Sequence, residues 1–307
     1  MRAAILIPCF NEAVAIGRVI ADFQAAMPGA AITVCDNAST DGTGEIARAA
    51  GATVLHEPRP GKGHAVRRLF AAVEADAYIL VDGDGTYDAA AAPAMLALLA
   101  EGRLDMVTAT RVSAGQAAYR PGHRLGNRVI TGAIATLFGH GVPDMLSGYR
   151  VFSRRFVKSF PALAKGFETE TEFTVHALEL GMPMGSLATP YRERPAGSHS
   201  KLNTWRDGAR IILTVLGLLK REKPMPFFGA IAAALAGLGL ALFWPVLLEF
   251  RASGLVPRLP TAVLSMGLVL AGLLALACGL VLETVTRGRQ EAKRMAYLAQ
   301  PGPGAAT

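Results

Sequence analysis

Two long stretches of this chain carry almost no charge: Phe227 to Phe250, where Glu249 is the only charged residue, and Ala262 to Leu282, which has none. Each reaches the roughly 20 apolar residues that a helix needs to cross the hydrocarbon of a bilayer. Between them stand Arg251, Gly254, Pro257, Arg258 and Pro260, a set that favours a turn. The pattern predicts a transmembrane hairpin within residues 224–286, with spans at about 227–250 and 262–282. It also accounts for a composition that is 51% hydrophobic and only 18% charged, apolar for a soluble protein of 307 residues.

Lys220, Arg221 and Lys223 precede the first span and Arg287, Arg289, Lys293 and Arg294 follow the second, whereas the connecting loop holds only Arg251 and Arg258. Because Lys and Arg collect on the cytoplasmic side, both termini and the large N-terminal region are expected in the cytosol. The chain then reads as a multi-pass protein of the inner, cytoplasmic membrane with a basic tail at 287–307. The apolar start "AAILIPCF" is short and is interrupted by Pro8, Asn11 and Glu12, so it does not read as a signal peptide. Cys9, Cys35 and Cys278 are too widely spaced for a zinc cluster and suit a reducing compartment. The net charge is +7, but the basic residues gather in "RERP", "KREK" and "RGRQEAKR", with no basic stretch interleaved with aromatics. Anionic lipid and phosphate are therefore the expected partners, and nucleic acid is not.

From the N-terminus, short apolar runs alternate with helical patterns: 3–7, 31–35, 53–55, 78–81 and 105–109. Runs that are apolar on both faces are expected of strands in a parallel sheet covered by helices on each side. Asn11 is positioned to cap a first helix with Val19, Ile20, Phe23 and Met27 on its inward face, and Ala89 to Ala100 supplies another with Pro93 in its first turn. The fold class is α/β, a Rossmann-like and mostly parallel sheet over residues 1–203. From Trp205 an apolar stripe with Arg206, Asp207 and Arg210 off it predicts an amphipathic interfacial helix across 204–223.

Each predicted strand ends in a polar loop: "PCFNE", "DNASTDGT", "HEPRPGKGH" and "DGDGTYD". Open α/β sheets bind ligands outside the carboxyl ends of their strands, so these loops are expected to converge. In the fourth, Asp82 and Asp84 lie two residues apart in a glycine-loosened turn. Such a pair can hold one divalent cation, Mg2+ or Mn2+, while leaving most of its coordination sphere to phosphates and water. An EF-hand is excluded, since a loop starting at Asp82 has Tyr87 where glycine and Pro93 where glutamate would be required. Asp88 suits a cap for the helix at Ala89. Asp36 stands at a strand end, where a carboxylate can read a base or ribose hydroxyl. Lys62, between Gly61 and Gly63, is a candidate phosphate contact, although "PGKGHA" is neither a P-loop nor a dinucleotide fingerprint.

In this order, "IPCFNEA", "DNASTDGT", "GKGHA", "VDGDGTYD", "DMLSGYRVFSR" and "RPAGSHSKLN", followed by two apolar spans, resemble the family 2 glycosyltransferases of the polyprenyl-phosphate type. The resemblance implies a GT-A fold, a UDP- or GDP-sugar donor, a metal at the Asp-x-Asp pair, and inverting transfer to polyprenyl (undecaprenyl) phosphate. By position it implies that Pro8, Phe10, Glu12 and Asp36 surround the nucleotide, with Asp82 and Asp84 on the metal and pyrophosphate. It also implies that Arg111, Arg124, Arg194, Ser200 and Lys201 grip the acceptor phosphate. Where many mannose synthases of the family carry glutamine two positions after the second aspartate, this chain has Thr86.

A phosphate monoester with a second pKa of about 6 is largely dianionic at neutral pH and needs no strong general base. Lys62 and Asp84 are then the candidate catalytic groups, by stabilising charge on the leaving nucleoside diphosphate. Asp144, before "MLSGYR", is a third candidate, either orienting acceptor or sugar or serving as a loop carboxylate paired with an arginine. Glu168, Glu170 and Glu172 suit a helix start through the helix dipole alone, and one of them is a candidate sugar contact. A processive polysaccharide synthase would carry a Gln-x-x-Arg-Trp motif, which none of Gln24, Gln116, Gln290 or Gln300 begins. A catalytically idle, nucleotide-sugar-binding membrane scaffold is the alternative from another class. The small residues of "GAIAAALAGLG" permit close helix packing and suggest a homo-oligomer.

Overall fold

The computed structural model describes residues 1–113, 144–192 except 165 and 167, and 216–303 except 218. Seven strands form one sheet: β1 (Ala3–Cys9), β2 (Ala31–Asp36), β3 (Thr53–His56), β4 (Ala77–Leu80), β5 (Met106–Ser113), β6 (Arg150–Ser153) and β7 (Met184–Tyr191), in the order β3-β2-β1-β4-β6-β5-β7. The first four strands are mutually parallel. β6 runs antiparallel to both β4 and β5, and β7 lies parallel to β5. This is the mostly parallel α/β architecture that the sequence predicts.

The helices are α1 (Ile16–Ala26), α2 (Thr43–Ala49), α3 (Lys62–Ala72), α4 (Ala92–Glu101), α5 (Arg154–Ser159), α6 (Thr169–Leu180), α7 (Pro224–Ser253) and α8 (Leu259–Leu298). The two faces of the sheet bury different cores. On one, Ile5, Ile7, Ile79 and Val107 pack with Ile16, Ile20 and Phe23 of α1 and with Met95 and Leu99 of α4. On the other, Leu6, Tyr78, Leu80 and Phe152 meet Leu69 and Phe70 of α3, Phe156 of α5 and Phe173 of α6. Phe152 stacks on Phe156 with ring centroids 4.4 Å apart, while Phe70 meets Phe152 edge-on. Each such side chain stabilises the fold by roughly 1.5–3 kcal/mol on burial. β1, β4 and most of β2 are apolar on both faces because both faces are covered there, whereas the edge strands β3 and β7 are largely exposed or half-buried.

Asn11 does not cap α1. Its backbone turns left-handed, with φ of 54°, and its carbonyl oxygen Oδ1 accepts from the Thr40 amide at 2.8 Å, while α1 starts only at Ile16. Val19, Ile20 and Phe23 nevertheless face the core as expected. Asp88 does act as a cap, accepting from the Ala90 amide ahead of a short 3-10 turn. The predicted interfacial helix lies largely outside the described residues.

Two compact units are distinguished, Met1–Ile211 with Ala292–Thr307, and Ile212–Glu291. In the second, α7 and α8 are long and apolar enough to cross a membrane. The buried residues of α7 include Ala232, Gly239 and Val246, and those of α8 are Ser265, Gly272, Gly279 and Thr286. This seven-residue spacing is that of a left-handed helix pair. A Cβ on Gly239 would stand 2.9 Å from the Ser265 carbonyl oxygen, and one on Gly272 would stand 3.0 Å from that of Ala232. Of the small residues in this segment, Ala232 and Gly239 are thus used between α7 and α8, while a Cβ on Gly229 or Gly237 would meet nothing within 4 Å. Leu238, Leu240, Trp244, Leu273, Leu274 and Leu280 remain exposed on its outside.

In the first unit, the final turns of α8 pack against the α/β domain. Lys293 pairs with buried Glu179 at 2.6 Å, and the Tyr297 hydroxyl donates to Asp105 Oδ2 at 2.8 Å. The segment expected to be a separate basic tail from residue 287 begins as a continuation of this helix.

Candidate active site

The register of the parallel strands brings their polar ends into line. Cys9 lies opposite Asp36, and Asp36 lies opposite His56. Leu6 pairs with Leu80, so Asp82 emerges from β4 beside the end of β1. Pro8 is buried in β1, and Phe10 is exposed just beyond it. The loops are then laced together. The Asn11 amide donates to Ser39 Oγ, the Glu12 amide to Thr43 Oγ1 and the Ala13 amide to Asp41 Oδ2. Asp36 accepts from the Ser39 amide at 3.0 Å, and its other oxygen lies 3.8 Å from His56 Nδ1.

Asn37, buried at the end of β2, fixes the next loop. Its side-chain nitrogen donates to the carbonyls of Glu57 and Arg59, and its oxygen accepts from the Gly61 amide at 2.7 Å. Gly61 precedes α3 with φ of 128°, a conformation that favours glycine. Lys62 follows as the first residue of α3, and its side chain reaches Asp82. The ammonium donates to Asp82 Oδ1 at 2.5 Å and also to Glu170 Oε1 in the first turn of α6. Burial alone would depress the lysine, but Asp82 and Glu170 more than reverse this and hold its pKa above the ordinary value. Burial pushes the Glu170 carboxyl up, against the pull of Lys62. The second Glu170 oxygen is buried and has no hydrogen-bond partner among the described residues.

Asp84 is buried, and its Oδ1 accepts from the Thr86 amide at 3.1 Å and the Thr86 hydroxyl at 2.7 Å. Thr86 therefore orients the second aspartate. Behind Asp82 the loop 144–149 closes against the carboxylate, and a Cβ on Gly148 would stand 2.2 Å from Asp82 Oδ2. The Gly148 amide donates to the Tyr87 hydroxyl at 2.8 Å. Arg150, fully buried, donates to the carbonyls of Met145 and Ser147 and to Thr174 Oγ1. Burial lowers its pKa to about 10, so the guanidinium remains charged and braces this loop at neutral pH.

Residues 4–160 match the family described as Glycosyl transferase family 2. The chain is 37% identical over 303 residues to Glycosyltransferase AglJ of Haloferax volcanii, covering 96% of this chain and 97% of that protein. It belongs to glycosyl transferase family 2. This transferase is also 29% identical over 220 residues to a dolichyl-phosphate hexose transferase of Haloferax volcanii, covering 72% of this chain and 95% of that one. Among solved structures it resembles glucosyl-3-phosphoglycerate synthase from Mycobacterium tuberculosis in complex with Mn2+, UDP and phosphoglyceric acid. There the TM-score is 0.58 and the identity 25%, over 71% of this chain and 78% of the other. The fold is thus GT-A-like.

The transferase gathers Asp36, Lys62, Asp82 and Asp84 at one end of its sheet. Arg111 and Asp144 form a separate pair. The Arg111 guanidinium donates through Nε and Nη2 to the two Asp144 oxygens at 2.8 and 2.6 Å, and lies over the Tyr191 ring. Of Asp144's two readings from sequence, this contact is the arginine-paired one. Arg124, Arg194, Ser200 and Lys201 lie outside the described residues. Glu170 is one of the three acidic residues among which the sequence offers a candidate sugar contact, whereas Gly148 and Arg150 are not among its candidates. The last two sit inside "DMLSGYR", and the acidic start of α6 was the one visible sign of Glu170.

Proposed function

We propose that this family 2 glycosyltransferase moves a hexose or related sugar from a UDP- or GDP-sugar to polyprenyl phosphate at the cytoplasmic face of the membrane, with inversion. The observation that carries the reading is a strand-end site of Asp82, Asp84 and Lys62 in a chain that continues into two membrane-length apolar helices. Such a chain has reason to work on an acceptor embedded in the bilayer. The similarity to a dolichyl-phosphate hexose transferase supports a lipid phosphate. The multi-pass arrangement, with both termini cytosolic, rests on the basic flanks of the hairpin.

The residues present suit a divalent cation. Among the described residues no group of three or more His, Cys, Asp or Glu is placed to hold a metal, and of these residues Asp82 and Asp84 would be the ones offered. That is the donor set of a Mg2+ or Mn2+ site completed by substrate phosphates and water. When bound, the metal would neutralise charge on the departing nucleoside diphosphate. Thr86 holds Asp84 in one orientation, and Lys62 brings a positive charge to the same end of the sheet. Pro8, Phe10, Glu12 and Asp36 would border the nucleotide. Arg111 would face the acceptor phosphate with Asp144 fixing its guanidinium, a bidentate pair that gives geometric specificity. Arg124, Arg194, Ser200 and Lys201 complete the proposed acceptor site.

The test is to incubate the purified full chain with Mg2+ or Mn2+, undecaprenyl phosphate and a panel of labelled UDP- and GDP-sugars. Label is expected in the lipid fraction from at least one donor. Donor cleavage with no lipid-soluble label from any donor would overturn the acceptor assignment, and binding without turnover of any donor would favour an idle scaffold.

A further inference from the structure

Lys62 is held from two sides. Its ammonium is bracketed by Asp82, 20 residues on, and by Glu170, 108 residues on, in a different layer of the fold. It is therefore a built-in monovalent cation on a carboxylate that the proposed function gives to a divalent one. Asp82 cannot offer the same oxygen fully to both. Glu170 provides the alternative, since its second oxygen is buried and has no partner among the described residues and can receive the ammonium when Asp82 is drawn away. Its place in the first turn of α6 favours the ionised carboxylate through the helix dipole.

We propose that Glu170 is a positioning residue for Lys62, holding the ammonium in the cleft so that it can leave Asp82 for Glu170 as a divalent cation takes up Asp82. This rests on the metal assignment above. It makes Lys62 and the divalent cation competitors for Asp82 in the free enzyme, with Glu170 setting the terms of that competition. With Glu170 neutralised, Lys62 leans wholly on Asp82 and disfavours the metal. With Lys62 removed, Glu170 loses its purpose.

The test is Mn2+ affinity without nucleotide, read by electron paramagnetic resonance on the full chain in lipid nanodiscs, for the parent, Glu170→Gln, Lys62→Met and the double variant. Glu170→Gln, close in shape to the native residue, is expected to weaken Mn2+ binding about tenfold, within the range of coupling between contacting groups. Lys62→Met is expected to strengthen it. In the Lys62→Met background the Glu170→Gln effect should shrink to a small fraction of its size in the parent. A Glu170→Gln effect as large or larger in that background overturns the proposal, because Glu170 would then act on the metal directly. Equal affinities in parent and Lys62→Met overturn it as well, with the metal site intact. Absence of Mn2+ binding in all four proteins removes the metal assignment and the proposal together. Should Lys62→Met not fold, Lys62→Gln keeps a neutral hydrogen-bonding group between the two carboxylates and serves the same comparison.

Discussion

The hydroxyl of Tyr297 donates to Asp105 across 192 residues of sequence, and so ties the last turn of α8 to the residue immediately before β5. Asp105 is fully buried and also accepts from Ser153 Oγ and from Nε and Nη2 of Arg155, whose guanidinium lies over the Tyr297 ring at 4.6 Å. Close by in sequence, Lys293 neutralises Glu179. The end of the second long helix is thereby part of the catalytic domain's own structure.

Lys293→Met should leave the Glu179 carboxylate buried without its partner. Removing one member of a buried pair costs about 3 kcal/mol. Tyr297→Phe, which leaves Asp105 its arginine and serine donors, should cost about 1.5 kcal/mol. Denaturant unfolding followed by tryptophan-independent circular dichroism checks both, and equal stability of all three proteins would show that this docking is not stabilising.

His176 supplies a pH dependence. It is buried between Phe156 and Phe160, with Nε2 3.0 Å from Ser159 Oγ. Burial, with a smaller push from Lys293, lowers its pKa to about 3. The unfolded chain therefore takes up this proton first as pH falls below the ordinary value of about 6.5, and stability falls with it, approaching about 1.4 kcal/mol per pH unit. Above pH 7 the residue contributes no slope. His176→Gln should flatten the stability profile between pH 7 and 5, and an unchanged profile would contradict the assignment.

Thr86→Val keeps the volume and removes the hydroxyl that fixes Asp84. Loss of such a supporting partner lowers metal affinity by about tenfold or more. The apparent Mn2+ requirement for sugar transfer should rise accordingly, with unfolding unaffected beyond about 1 kcal/mol. An unchanged requirement would mean that Asp84 is held by other contacts.

Gly148→Ala places a methyl where the Asp82 carboxylate stands. The short side chain must swing aside and part from Lys62. Displacements of about 1 Å at a reacting centre cost on the order of a hundredfold in rate, so activity should collapse while the melting temperature moves little. Retained activity would separate loop 144–149 from the chemistry.

β1 to β5 were legible as short apolar runs, and the site because its polar residues follow those strands directly; β6 was not legible at all. Asp82 and Asp84 needed no tertiary information beyond that placement. What the sequence concealed was long-range. Nothing local marks β6 as antiparallel between β4 and β5. Nothing in "FETETE" distinguishes Glu170, which reaches Lys62, from Glu172, which accepts from the amides of Leu163 and Ala164. Asn11 looked like a helix cap because Asn is a good one, yet its oxygen is spent on the neighbouring strand's loop. The pairing of Gly239 with α8 was not legible either, because a pattern of small residues does not say which helix it will meet.

The most direct measurement is mass spectrometry of the lipid product formed from the transferred donor by the parent and by Asp84→Ala. A polyprenyl phosphate heavier by one sugar, linked as a phosphodiester and absent or strongly reduced with Asp84→Ala, is the predicted result. An unmodified lipid alongside released nucleoside diphosphate, or equal product from Asp84→Ala, would contradict it.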